Sequence, residues 1–287
     1  MDDLDKMLDT AGELMDLNFH DEALALLKET VKRFPDDPDI YYLMGCTALN
    51  QKDGEGALFY FSLANELSCG DADVLSGLSD ASLLLDRTDL AKEFISEALS
   101  FEPDNISVQI SLGHFLERKE RFSEAVEHYR KLQLQDPDNS YINARLGYTL
   151  MNMGMFEDAA REISRYLSDN PTDGDWEFQL GICYGYMGMT DEAFDTFKHL
   201  TANNPDDPVT RAYFALSMAE RGWIVEAREE ITRALRMDPQ NQRVNEIYDD
   251  IMGRDEGGSF SGRSGDAEML LLMLLLVGLT RERGKRG

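Results

Sequence analysis

Residues 147–171 read GYTLMNMGMFEDAAREISRYLSDNP, and their spacing decides the fold. Gly147 is followed by Ala159, then one helical turn later by Ile163, then by Pro171. Moving 34 residues on gives Gly181, Ala193, Phe197 and Pro205; moving 34 back gives Gly113, Ala125, Tyr129 and Pro137. The alanine recurs at Ala23, Ala57, Ala91, Ala125, Ala159, Ala193 and Ala227. The proline recurs at Pro35, Pro103, Pro137, Pro171, Pro205 and Pro239, with Cys69 on the remaining rung. A single domain with a one-off core does not produce such a register; an array of identical supersecondary units does.

Let the alanine be position 20 and the proline position 32 of a unit that first starts at Leu4. Seven units then run from 4 to 241. Position 8 is always small: Ala11, Gly45, Ser79, Gly113, Gly147, Gly181, Ala215. Small residues at 8 and 20 let two helices cross closely. Position 24 is bulky and apolar throughout and shares a face with the alanine. The proline lacks an N–H and ends the second helix. Asp and Asn around it, as in Asp136-Pro137-Asp138-Asn139, offer caps to the helix that follows. Gly54, Gly154, Gly188 and Gly222 are expected to make the turn inside the unit. Each unit is therefore a helix–turn–helix pair that must stack on its neighbours to bury its apolar face.

The pattern resembles the tetratricopeptide repeat. Leu146-Gly147, Ala159, Ile163 and Pro171, and Leu180-Gly181-Tyr184, Ala193, Phe197 and Pro205, match its signature. Thr10 and Cys69 depart from it locally. The resemblance implies an all-α, right-handed superhelical solenoid. Residues 242–252, with Val244, Ile247, Tyr248 and Ile251 in one stripe, read as a capping helix; Asp249 takes the small position, as expected where no second helix follows.

Composition narrows the function. A net charge of −27 disfavours nucleic acid and anionic membranes as partners. The acids are spread through every unit, as in a solvated face that keeps a long apolar stack soluble. Three cysteines at unrelated positions (Cys46, Cys69, Cys183) give neither a disulfide framework nor metal spacing. The acidic start Met1-Asp2-Asp3-Leu4-Asp5 is not a secretory signal, so a cytoplasmic location is expected. His20, His114, His128 and His199 form no ligand pair, and no phosphate loop or nucleophile elbow occurs. Neither an enzyme nor a cofactor or metal is expected.

The resemblance also implies that the first helix of each unit lines a concave groove at positions 2, 5, 9, 12 and 13. Here these positions include Tyr42, Cys46, Ile110, His114, Tyr141, Tyr148, Met151, Phe178, Ile182 and Tyr186. The groove so read is apolar and aromatic, with Arg118 its main positive charge. Family members that grip a terminal carboxylate use Lys, Arg and Asn at positions 5 and 9, which this chain lacks. The expectation is an interaction scaffold or adaptor whose groove holds an apolar segment of a protein partner. The alternative is a secretion- or assembly-type chaperone that shields hydrophobic client segments.

Residues 253–265 read as a Gly/Ser linker, and residues 266–287 as an apolar helix with a basic end. The run from Met269 to Leu279 would be about 16 Å long as a helix, short of the roughly 30 Å of a bilayer core. Apolar all round, it lacks the polar face of an interfacial helix. It is expected to bury itself in protein through Met269, Leu272, Met273 and Leu276, in the groove of its own array or of a second copy. Membrane contact and direct recruitment of a partner are the other readings.

Overall fold

A computed structural model describes residues 3–254. Every regular element among them is an α-helix, and the chain divides into two compact units, one ending at Gln135 and the other starting at Asp136. The first unit holds α1 (Asp3–Asp16), α2 (His20–Arg33), α3 (Pro38–Asn50), α4 (Gly54–Leu67), α5 (Ala72–Leu84), α6 (Thr88–Phe101), α7 (Ile106–Arg118) and α8 (Phe122–Gln135). The second holds α9 (Ser140–Asn152), α10 (Phe156–Asp169), α11 (Gly174–Tyr186), α12 (Thr190–Asn203), α13 (Pro208–Glu220), α14 (Ile224–Met237) and α15 (Gln242–Gly253). Within each unit the odd helices are the first of a pair and the even ones the second. Inside each unit successive helices pack on each other, and first helices such as α1, α3 and α5, or α13, also touch the first helix that follows.

Close packing explains the small positions. The ladder alanines are buried, six of the seven at 0% exposure. Position 8 lies under the side chain at position 24. A Cβ on Gly45 would come within 2.7 Å of the Phe61 ring, one on Gly113 within 2.4 Å of Tyr129, and one on Gly181 within 2.9 Å of Phe197. Where position 24 is Leu27, Ile95 or Ile231 instead of a ring, position 8 is Ala11, Ser79 or Ala215; of the aliphatic residues only Ile163 faces a glycine, Gly147, whose Cβ would meet it at 2.6 Å. In six of the seven pairs the two positions are thus matched in volume.

The chain is punctuated with equal regularity. Asp37, Asp71, Asn105, Asp173, Asp207 and Asn241 cap α3, α5, α7, α11, α13 and α15 by accepting backbone N–H groups. Asn139 is the exception: its side chain makes no cap bond, and its amide donates to Asp136 at 3.1 Å. The turn inside each pair always contains one left-handed residue, and here the sequence expectation needs correcting. That residue is Asn18, Lys52, Asp86 or Glu120 in the first unit (φ 62°, 60°, 61°, 56°) and Gly154, Gly188 or Gly222 in the second. Gly54 is not among them. It opens α4 and is buried, where a Cβ would meet the Leu85 side chain at 2.9 Å. Cys69 replaces proline without altering the break, because Gly70 at φ +81° and the Asp71 cap turn the chain there.

In α15, Val244, Ile247 and Ile251 are buried against the core of the second unit, while Asp249 is exposed. The expected linker and the apolar segment with Met269, Leu272, Met273 and Leu276 lie outside the described residues, apart from Gly253 and Arg254.

Candidate functional site

First helices expose the same positions again and again. Position 9 is half-buried in all seven pairs: Gly12, Cys46, Asp80 and His114 in the first unit, Tyr148, Ile182 and Leu216 in the second. Position 5 lies deeper, with Ser76, Ala144, Phe178 and Ala212 buried and Leu8, Tyr42 and Ile110 half-buried. A helix turns 100° per residue, so four residues' separation brings the side chain round toward the same face but 40° off it. That offset separates a row of surface side chains from a row that packs inward.

The first unit's face is polar. His114 Nδ1 lies 3.0 Å from Asp80 Oδ1, and the Ser111 hydroxyl donates to Asp80 Oδ2 at 3.1 Å. Ser76 and Ser111 hydroxyls are 2.7 Å apart, and Ser76 donates to the Ser107 carbonyl at 3.1 Å. A serine, a histidine and an aspartate thus meet, but Ser111 bonds the carboxylate. A nucleophile would instead need its hydroxyl on the imidazole. Tyr42 and Cys46 stand one turn apart on α3. Burial pushes the Cys46 thiol up to about 11, so it is a neutral thiol at neutral pH. Burial likewise raises Tyr42, whose ring lies 5.7 Å from that of Phe61.

The second unit's face is aromatic and aliphatic. Tyr141 is 40% exposed; Tyr148, Met151, Ile182 and Tyr186 are half-buried. The Tyr186 ring stacks on Phe156 at 4.0 Å between centroids, nearly parallel. Burial is the main cause that raises the Tyr186 phenol above its usual range. Arg145 lies over the Tyr148 ring at 5.0 Å. Phe178 does not belong to this surface. It is 7% exposed, and its ring stands edge-on to Phe197 (5.5 Å) and Tyr213 (5.0 Å) in the core. Its place in the expected groove is corrected accordingly.

Phe156 and Arg145 were missed by the sequence reading. Phe156 opens a second helix, so a rule confined to first helices skips it. Arg145 sits three residues before Tyr148 on the same helix, a spacing that could have flagged the pair. Among the described residues no group of three His, Cys, Asp or Glu is arranged to hold a metal ion, and no helix is long and apolar enough to cross a membrane.

Stacked helix–turn–helix pairs with this register define a repeat protein of the protein-interaction class. Three tetratricopeptide-repeat family models match, over residues 8–68, 116–177 and 177–207, and the chain belongs to that family. No curated protein gives a sequence match. Among solved structures, the APC/C hetero-tetramer Cut9–Hcn1 is similar with a TM-score of 0.71 at 15% identity, over 84% of this chain and 48% of that one. The chain therefore spans about half the length of that relative. Pseudomonas aeruginosa pilF gives 0.60 at 17% identity, over 74% of this chain and 97% of that one. YrrB, described as a TPR protein with an unusual peptide-binding site, gives 0.53 at 21%, over 66% and 97%. Likeness at these identities speaks for the fold.

Proposed function

We propose that this chain is a non-enzymatic interaction scaffold that holds an apolar peptide segment of a partner protein on the first-helix face of its second unit. The observation that carries this reading is the half-buried row Tyr148, Ile182 and Leu216, flanked by Tyr141, Met151 and Tyr186. Rigid aromatic side chains give contact area at low entropic cost, and a flexible thioether adapts to varied apolar partners. The stacking of Tyr186 on Phe156 fixes one such ring before any partner arrives. The peptide-binding site ascribed to YrrB supports peptide recognition by this fold in general. In the first unit, Tyr42, Cys46, Ile110 and His114 form a more polar surface, suited to hydrogen bonds with the same or another segment.

The test separates surface from core. Tyr148→Ala with Ile182→Ala should weaken binding of a labelled Leu/Phe/Ser peptide by about tenfold or more while leaving the melting temperature nearly unchanged. Phe178→Ala should do the reverse, costing about 3–5 kcal/mol of stability through the cavity it leaves. If the double variant binds as tightly as the native protein, the site is elsewhere.

A further inference from the structure

α14 is the second helix of the last pair, and with the end of α15 it borders an open surface cavity of about 450 Å³. Val225, Thr232 and Met252 give it aliphatic surface, and Arg228, Arg233 and Arg236 surround them with only Glu229 in opposition. Such a volume falls in the range of binding clefts. So basic a lining is unusual in a chain of net charge −27. Elsewhere in the array some arginines meet a carboxylate of the preceding pair, as Arg87 meets Glu55, Arg221 meets Asp191 and Arg254 meets Glu220. Arg233 is held by Glu230 at 2.7 Å, but exposed Arg236 has no ion-pair partner among the described residues.

The chain leaves α15 at this cavity. Arg228 Nη2 donates to the Arg254 carbonyl at 2.5 Å, which ties the exit point to the cavity wall. The sequence then continues through Asp255 and Glu256 to Asp266-Ala267-Glu268, followed at once by the apolar run Met269 to Leu279. A carboxylate pair leading an apolar run is the complement of arginines around an aliphatic floor. Twelve residue steps from Arg254 to Asp266 reach at most about 40 Å, far more than a cavity at the exit requires. A segment tethered so closely has an effective concentration of about millimolar, which favours this chain's own segment over that of a second copy.

We propose that residues 266–279 dock in cis in this cavity, with Met269, Leu272, Met273 and Leu276 on the Val225–Thr232–Met252 floor and Asp266 and Glu268 facing Arg233 and Arg236. The docking surface belongs to a second helix and the terminal helix, apart from the first-helix row that carries the functional reading. The two proposals stand or fall separately. Nor is this a regular eighth pair, since Asp249 occupies the position where a crossing helix needs a small residue.

The experiment uses the full chain with Cys69→Ser, so that the exposed native thiol does not interfere. Thr232→Cys combined with Met273→Cys should form a disulfide within one chain under mild oxidation, mapped by peptide mass spectrometry. Arg236→Glu should lower the yield, and adding Glu268→Arg should restore it. In a separate variant, Leu272→Asp should speed hydrogen exchange at residues 225–236 by about tenfold. The proposal is overturned by a cross-link found only between chains, by preferential cross-linking when Tyr148→Cys replaces Thr232→Cys, or by unchanged exchange at α14. Partition of the chain onto vesicles, lost with Leu272→Asp while α14 exchange stays constant, would assign the segment to a membrane instead.

Discussion

At the scale of single residues, stability rests on volume matching between two positions 16 residues apart. Gly113 has no room for a methyl group because the Tyr129 ring occupies it at 2.4 Å, and Tyr129 is fully buried. Gly113→Ala is therefore expected to cost about 1–3 kcal/mol by overpacking. A smaller partner, Tyr129→Leu, should recover part of that loss when combined with it, as Leu27 lives with Ala11. Additive effects in a denaturant double-mutant cycle would contradict the matching. The same scale shows where reading by periodicity stops. Recurrence revealed that positions 5 and 9 share a helix face, yet the depth of each depends on the neighbouring helix. Phe178 was thus assigned to the surface although Phe197 and Tyr213 enclose it.

Elements begin and end where local chemistry dictates, and most of that was legible. Proline and Asp/Asn marked the breaks between pairs, because a missing donor and a capping acceptor act within three residues of where they stand. The turn inside the pair was less legible. Glycine marks it in the second unit, whereas four turns of the first put Asn18, Lys52, Asp86 and Glu120 in the left-handed region. For a residue with a Cβ that conformation costs about 1–2 kcal/mol, against about 0.4–1 kcal/mol for the extra freedom of an unfolded glycine. Lys52→Gly should accordingly stabilise the protein slightly, by about 0.5–1 kcal/mol, in chemical denaturation; a loss of stability would refute this balance.

The starts of α3 and α5 carry a second consequence. The carboxyl of Asp39 is raised above its usual 3.8 by partial burial first, then by Asp37 and Asp71. An acid with a raised folded pKa opposes folding when ionised, and the opposition fades as pH falls through that raised value. Asp39→Asn should hence melt higher than the native protein at neutral pH, with the gap closing as pH approaches 3.8. A gap that stays constant down to that pH would exclude the carboxylate as its cause.

For the whole molecule, the charge of −27 looks at first like a signal for a basic partner. Part of it is structural, since Asp37, Asp53, Asp71, Asp173 and Asp207 spend their carboxylates on helix N-termini. The first-helix face of the second unit is built of Tyr148, Ile182, Leu216 and their neighbours, so contact area should dominate there. The most direct test of that claim is calorimetric titration of an apolar Leu/Phe/Ser peptide at several temperatures, at about 0.05 M and 0.5 M salt. Apolar burial predicts a negative heat-capacity change and an affinity that varies less than about threefold with salt. A heat-capacity change near zero, with affinity falling more than about tenfold at high salt, would contradict it and point to charge-driven binding.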